Sequence, residues 1–220
     1  MGAAKNGYWQ VRYENSKEGS GIMKKMMITC ICALMASVAQ AATETVNGVR
    51  WTYQVSDGNA EIYNGDGLAA IPTSTKGTIV IPSTLSGYTV TRIGNDAFLG
   101  CSGITSVTIG DRITSVGKSA FSGCSGLTSV TIPTNVISIG EAAFSGCGSI
   151  KSFVVAARNS YYSSKNGLLL SKNGSKLISG INGVVEIPDS VTSIEESAFS
   201  GCSGLTSVTI PSSVTSNNTK

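Results

Sequence analysis

The chain has 220 residues, of which 13% are charged and 6% aromatic, and it contains no histidine. That removes imidazole as general base or metal ligand and leaves little material for large hydrophobic layers. Sixteen Lys and Arg against 13 Asp and Glu give a formal charge of +3, but residues 42–220 hold 11 of each sign, so no basic patch points to nucleic acid or an anionic membrane.

Residues 1–22 are polar and precede Met23. From Met23 to Ala41 the chain has a basic start at Lys24 and Lys25, an apolar stretch from Met26 to Ala36, and a small-residue site at Ala39-Gln40-Ala41. These are the parts of a secretory signal peptide. The stretch is shorter than the ~20 apolar residues a membrane span needs, so no transmembrane segment is expected after cleavage. Residues 1–22 then read as a mis-assigned leader, with Met23 as the true start. Lys17-Glu18-Gly19 fits, because its codons can spell a purine-rich ribosome-binding site.

Residues 42–87 form an N-terminal cap. Val49 to Val55 and Ala60 to Tyr63 are strand-like and are separated by the turn-formers Ser56-Asp57-Gly58-Asn59, which predicts a hairpin leading into Thr78-Ile-Val-Ile-Pro82. An open solenoid exposes its first coil, so larger aromatics such as Trp51, Tyr53 and Tyr63 belong in such a cap.

Repeats occupy residues 88–155. Ile93-Gly-Asn-Asp-Ala-Phe-Leu-Gly-Cys101, Val116-Gly-Lys-Ser-Ala-Phe-Ser-Gly-Cys124 and Ile139-Gly-Glu-Ala-Ala-Phe-Ser-Gly-Cys147 place Phe98, Phe121 and Phe144 23 residues apart. A fourth copy, Ile194 to Cys202, follows after a gap of 55. A period of this size marks a solenoid. Each unit begins with a strand, as in Leu127 to Ile132, where Val130 and Ile132 alternate with Thr131 as one buried face requires. Val136 and Ile139 follow on the opposite side of the coil, and Gly140 permits the bend. The segment around Ala143 and Phe144 is expected as one helical or 3₁₀ turn. One coil cannot bury its Phe alone, so a ladder of Phe98, Phe121, Phe144 and Phe199 is expected as the spine.

Residues 156–183 interrupt the period. Asn166-Gly and Asn173-Gly174 between apolar runs predict an irregular, hairpin-bearing coil. Residues 184–220 resume with Val184-Val-Glu-Ile-Pro188 and end in a partial unit from Leu205, which leaves the terminal coil uncapped and open to self-association. The fold class is therefore a mainly β repeat solenoid, a right-handed coil with a parallel sheet and an N-terminal hairpin cap.

Written as Ile-Pro-x-x-Val-x-Ser-Ile-Gly-x-x-Ala-Phe-x-Gly-Cys-x-x-Leu-x-x-Val-x-Ile, the unit resembles the BspA-like, or treponemal-type, leucine-rich repeat family over roughly Tyr88 to Ser216. The resemblance implies a leucine-rich-repeat solenoid with its sheet on the concave side. Members are mostly bacterial surface or secreted proteins, some implicated in adhesion, and the family pattern carries no catalytic residue.

Several apparent sites have plain readings. Gly117-Lys118-Ser119 resembles the end of a phosphate loop, but Arg112 stands where the first Gly is required. Gly123-Cys124-Ser125-Gly126 lacks the Gly-x-Ser-x-Gly spacing of a nucleophile elbow. The turns at Asp57 and Asn64 lack the spaced carboxylates of a calcium loop. Cys101, Cys124, Cys147 and Cys202 are even in number, yet equivalent positions of stacked coils point in parallel at ~4.8 Å, which suits buried thiols better than disulfides. No catalytic residue, cofactor or metal is expected.

The candidate ligand face is the outward set of the sheet: Ser106, Thr108, Ser129, Thr131, Ser152, Val154, Ser207 and Thr209. The expected function is an exported, non-enzymatic scaffold that uses this face or segment 156–183 to contact an extracellular protein or glycan. A structural envelope or matrix protein without a dedicated ligand is the alternative, and an enzyme with a site hidden in the cap is a third reading.

Overall fold

The computed structural model describes residues 41–65, 67 and 69–217. The expected leader, and all of the expected signal peptide except Ala41, lie outside the described residues. Every regular element among the described residues is a β-strand.

Strands β1 (Ala42–Val46), β2 (Val49–Ser56) and β3 (Asn59–Ile62) form an antiparallel meander. Its two turns, Asn47-Gly48 and Asp57-Gly58, have positive φ at both residues, the type I′ geometry whose twist matches that of the flanking strands. Beyond the expected hairpin the cap thus gains β1, announced by Asn47-Gly48. Trp51, Tyr53, Ala60 and Ile62 turn inward, and β3 hands over to the repeats by pairing in parallel with a later strand.

Strand β4 (Gly77–Val80) opens the repeat region, and β5 (Thr84–Leu85) turns into β6 (Tyr88–Ile93), the partner of β3. Long and short strands then alternate: β7 (Ile104–Thr108), β8 (Ser115–Val116), β9 (Ser129–Ile132), β10 (Ser138–Ile139) and β11 (Ser152–Val155). The long ones make a parallel sheet in the order β11-β9-β7-β4, and the short ones continue the cap sheet as β3-β6-β8-β10. In register, Val107 lies beside Val130 and Val130 beside Phe153, so each coil presents its inward residue at the same height as the next.

The segments expected as helical or 3₁₀ turns are successive β-turns. They close i→i+3 bonds such as Ser122 N–H to Ser119 O (2.9 Å) and Cys124 N–H to Phe121 O (3.1 Å). Positive φ at Asp96, Ser119 and Ala142, and again at Gly100, Gly123 and Gly146, interrupts the right-handed run that a helix needs.

The turns stack through their backbones: Gly100 N–H donates to Ser122 O and Gly123 N–H to Ser145 O, both at 2.8 Å. Inside, Phe98 and Phe121 stack at 4.8 Å and Phe121 and Phe144 at 5.6 Å, nearly parallel in both cases. Trp51 meets Phe98 edge-on, and Phe153 does the same to Phe144 at 5.1 Å. Phe199 is not part of this ladder. It is half-buried and packs in a separate C-terminal cluster, against Gly180, where a Cβ would collide with its ring. The spine is therefore Trp51, Phe98, Phe121, Phe144 and Phe153.

Gly94, Gly117 and Gly140 do not serve as bends, since none has positive φ. A Cβ on Gly140 would lie 2.4 Å from Lys118 N, and one on Gly117 2.5 Å from Asn95 N. Close approach of neighbouring coils demands glycine there. The fourth copy carries Glu195 at this place, and its N–H still makes the equivalent bond, to Leu177 O at 2.9 Å, as Gly140 N–H does to Val116 O at 2.8 Å.

Strands β12 (Tyr162–Lys165), β13 (Leu168–Ser171) and β14 (Lys176–Ser179) form the irregular coil as a second antiparallel meander, with Asn166-Gly167 as its type I′ turn. Leu169 belongs to the large N-terminal core and Leu168 and Leu170 to the C-terminal cluster, so β13 divides the two. Asn159 is buried and fully engaged. Its amide donates to Pro133 O (2.8 Å) and Val136 O (3.0 Å), and its Oδ1 accepts from Tyr161 and Tyr162 N–H.

Strands β15 (Gly183–Glu186), β16 (Ser193–Ile194), β17 (Leu205–Thr209) and β18 (Ser216–Asn217) complete the chain, with β15 pairing β17 and β14-β16-β18 in one parallel run. Across the 55-residue gap the turn stack is unbroken, because Gly146 N–H donates to Ser200 O at 2.9 Å. The sheet is broken there. Phe153 N–H donates to Gly167 O at 2.8 Å, which places the β12–β13 turn beside β11.

Candidate functional site

Because β4, β7, β9 and β11 alternate inward and outward residues, their outer side carries two rows. Thr78, Ser106, Ser129 and Ser152 form one, and Val80, Thr108, Thr131 and Val154 the other, aligned by the registers of the four strands. Six of the eight expected residues are brought together here. Ser207 and Thr209 lie on β17 in the separate two-stranded sheet, opposite Val184 and Glu186, so the eight do not make one continuous face. Thr78 and Val80 extend the face by a strand, and the alternation in Thr78-Ile79-Val80-Ile81 was the signal for them.

None of the hydroxyls of Ser106, Thr108, Ser129, Thr131 and Ser152 is engaged in a hydrogen bond among the described residues. Thr128, just before β9, gives its hydroxyl to Thr105 O at 3.1 Å. The free hydroxyls sit on a grid of ~4.8 Å between strands and ~6.6 Å along them, with half-exposed Val80 and Val154 at the two ends of one row. The rows contain no charge and no aromatic ring. Such a face offers many weak donors, acceptors and methyl contacts, and none of the Trp, Tyr or Arg anchors that dominate tight interfaces.

The phosphate-loop resemblance fails on geometry as well as spacing. Gly117 N–H donates to Ile93 O, Lys118 N–H to Asn95 Oδ1 and Ser119 N–H to Glu141 O, which leaves no amide to cradle a phosphate, and Lys118 Nζ sits 2.9 Å from Glu141. A depression of about 220 Å³ is lined by Ser83, Asp111 and Arg112 among apolar neighbours. No hydrogen bond joins Ser83 to Asp111 among the described residues.

The four cysteines among the described residues are free thiols; Cys101, Cys124 and Cys147 are buried and Cys202 is half-buried. Cys124 Sγ donates to Phe98 O at 3.1 Å and Cys147 Sγ to Phe121 O at 3.0 Å, one coil back in each case. Burial pushes the Cys101 thiol up to about 11. The Cys147 thiol, and then burial, raise Cys124 further still. Such thiols are poor nucleophiles at neutral pH. Among the described residues no group of three Cys, Asp or Glu is placed to hold a metal.

Six copies of the BspA-type leucine-rich repeat match the chain over residues 77–166 and 181–220. The chain belongs to the BspA-type leucine-rich repeat family. Among solved structures, a leucine-rich repeat protein from Bacteroides capillosus is 26% identical, over 76% of this chain and 96% of that one, with a TM-score of 0.42. One from Eubacterium ventriosum is 20% identical with a TM-score of 0.41; the match covers 80% of this chain and 62% of that one, so this chain spans less than two thirds of it. The leucine-rich repeat protein of T. pallidum is 21% identical over 73% of this chain and 69% of that one, with a TM-score of 0.39. Comparison with curated proteins returns no match. In this BspA-type chain the family repeat accounts for the Phe stack, the glycine contacts and the thiol ladder, and the outward rows stand apart from that packing.

Proposed function

We propose that the chain is an exported, non-enzymatic scaffold that recognises an extracellular protein or glycan through the outer face of β4, β7, β9 and β11, in the service of adhesion to host or neighbouring cells. The observation that carries this reading is the grid of hydroxyls left without internal partners on a regular parallel sheet. Solenoids bind through such continuous faces. With no anchor residue one copy binds weakly, and many copies on a surface gain by avidity. The signal-like segment at residues 23–41 supports export to the surface or the medium.

Arrays of glycans and of extracellular matrix proteins, probed with the chain and with its Ser129→Ala/Thr131→Ala variant, test the proposal. Binding that is lost in the variant at an unchanged melting temperature supports it. Binding that survives moves the site elsewhere. The uncharged, anchor-free composition of the rows also suits a structural envelope role, which is favoured if no array component binds while the protein remains with the cell envelope on fractionation.

A further inference from the structure

The depression of about 220 Å³ lies just past the C-terminal ends of β4 and β7, apart from the outward rows. Two exceptions to the repeat meet there. The strands β9 and β15 run into Pro133 and Pro188, whereas β7 is followed at the same place by Gly110, on which a Cβ would meet nothing within 4 Å. In the preceding coil the β5–β6 hairpin is inserted between Ser83 and Val90, and Val90 N–H still bonds Ser83 O at 3.0 Å, as Ile113 N–H bonds Gly110 O at 3.1 Å.

Ile81, Pro82, Val90 and Ile113, all buried, give the depression an apolar wall. Its exposed lining is Ser83, Asp111 and Arg112. Neither the Asp111 carboxylate nor the Arg112 guanidinium has an ion-pair or hydrogen-bond partner among the described residues. Gly110 brings an N–H that proline lacks, and it too is without a partner there. Asn135 Nδ2 donates to Asp111 O at 2.7 Å, which ties this turn to the next coil. Thr134 and Asn135 stand in the β9 unit where Asp111 and Arg112 stand here, so the two charges are no requirement of the repeat's own packing.

We propose that this depression binds a free α-amino acid with an aliphatic side chain. A guanidinium takes a carboxylate through two parallel hydrogen bonds, and the Gly110 N–H and Ser83 hydroxyl add donors. The Asp111 carboxylate answers the ligand's ammonium, and the apolar wall covers its side chain. A ligand with only one charge would leave Asp111 or Arg112 unanswered. The volume is below the ~300–1,000 Å³ of pockets that enclose drug-sized ligands, which suits a single residue and not an oligosaccharide. Because the charged groups are exposed to water, their attraction is weak, and a dissociation constant of ~1 mM is expected.

Amide chemical shifts of the chain, followed by NMR during titration with L-leucine, test the proposal. Saturable changes centred on Ser83, Gly110, Arg112 and Ile113 are expected. Isocaproate, which lacks the ammonium, leucinamide, which lacks the carboxylate, and glycine, which lacks the side chain, should each bind at least ~10-fold more weakly. Arg112→Gln should weaken leucine ~10-fold and leave the affinity for leucinamide as it was, a difference that a merely structural role would not produce. Gly110→Pro, which restores the residue of the β9 unit, should abolish binding at an unchanged melting temperature. If Gly110→Pro does not fold, Arg112→Gln carries the test alone. No saturable change up to about 10 mM leucine, changes centred on the outward rows, or equal affinity for leucine, isocaproate and leucinamide overturns the proposal.

Discussion

The second coil, from Leu127 to Cys147, and the last full copy, from Val184 to Cys202, are nearly the same words in different surroundings. In the former, Phe144 lies against Phe121, Gly140 lets the coils touch, and Cys147 reaches the carbonyl of Phe121. In the latter, Phe199 leans on Gly180, Glu195 stands where glycine stood, and Cys202 is half-buried. The inserted meander accounts for the difference, because β14 has taken the place of the preceding coil's strand beside β16. A repeat residue thus owes its role to the coil beneath it as much as to its own motif.

The sharpest way to break this contrast is to truncate the two rings. Phe121→Ala removes a ring held on both sides and should cost ~3–5 kcal/mol, read as a lower urea midpoint, whereas Phe199→Ala should cost clearly less because its ring is half-exposed. Equal losses would mean that the stack adds nothing beyond burial. Next in size, Gly140→Ala must push apart backbones 2.4 Å from its new methyl and should cost ~1–3 kcal/mol as overpacking does. Glu195→Ala should leave the midpoint almost unmoved.

A pH titration sharpens the comparison through the thiols. The Cys101 thiol is raised from 9.0 to about 11 in the folded chain, so between those values the unfolded chain loses a proton that the folded chain keeps. Stability from this group is complete below pH 9 and falls as pH rises towards 11. Cys101→Ala should flatten that part of the curve in chemical denaturation, and an unchanged slope would show that Cys101 does not control it. Smallest of all, Glu141→Gln, which removes an exposed partner of Lys118, should leave the melting temperature within error at low and high salt.

Much of this architecture could be read from residue order. The 23-residue spacing of Phe98, Phe121 and Phe144 reports the stack directly, because each ring has only the next coil to shield it. Phe153 could not be placed the same way: it stands at the position of Val130, and only the stacking of β11 on β9 turns it against Phe144. The glycines were legible as obligatory but not in their reason, since a bend and a close approach leave the same letter. Asn47-Gly48 was a visible hairpin signal that reading the aromatic strands alone passed over. As for the face, alternation located its six central residues, while Ser207 and Thr209 were misjoined to them because the sequence gap does not say that the β12–β13 turn fills the sheet side and leaves the turn side continuous.

The backbone bonds from Gly100 to Ser122, Gly123 to Ser145 and Gly146 to Ser200 join equivalent groups whether they stand 22 or 54 positions apart. Each rung specifies what its neighbour must offer and is indifferent to how much chain was used to bring it there. A gene for such a protein can lose or gain whole periods, or carry a detour as long as the meander, and still close every rung. Its length is then free to vary without the loss of any rung.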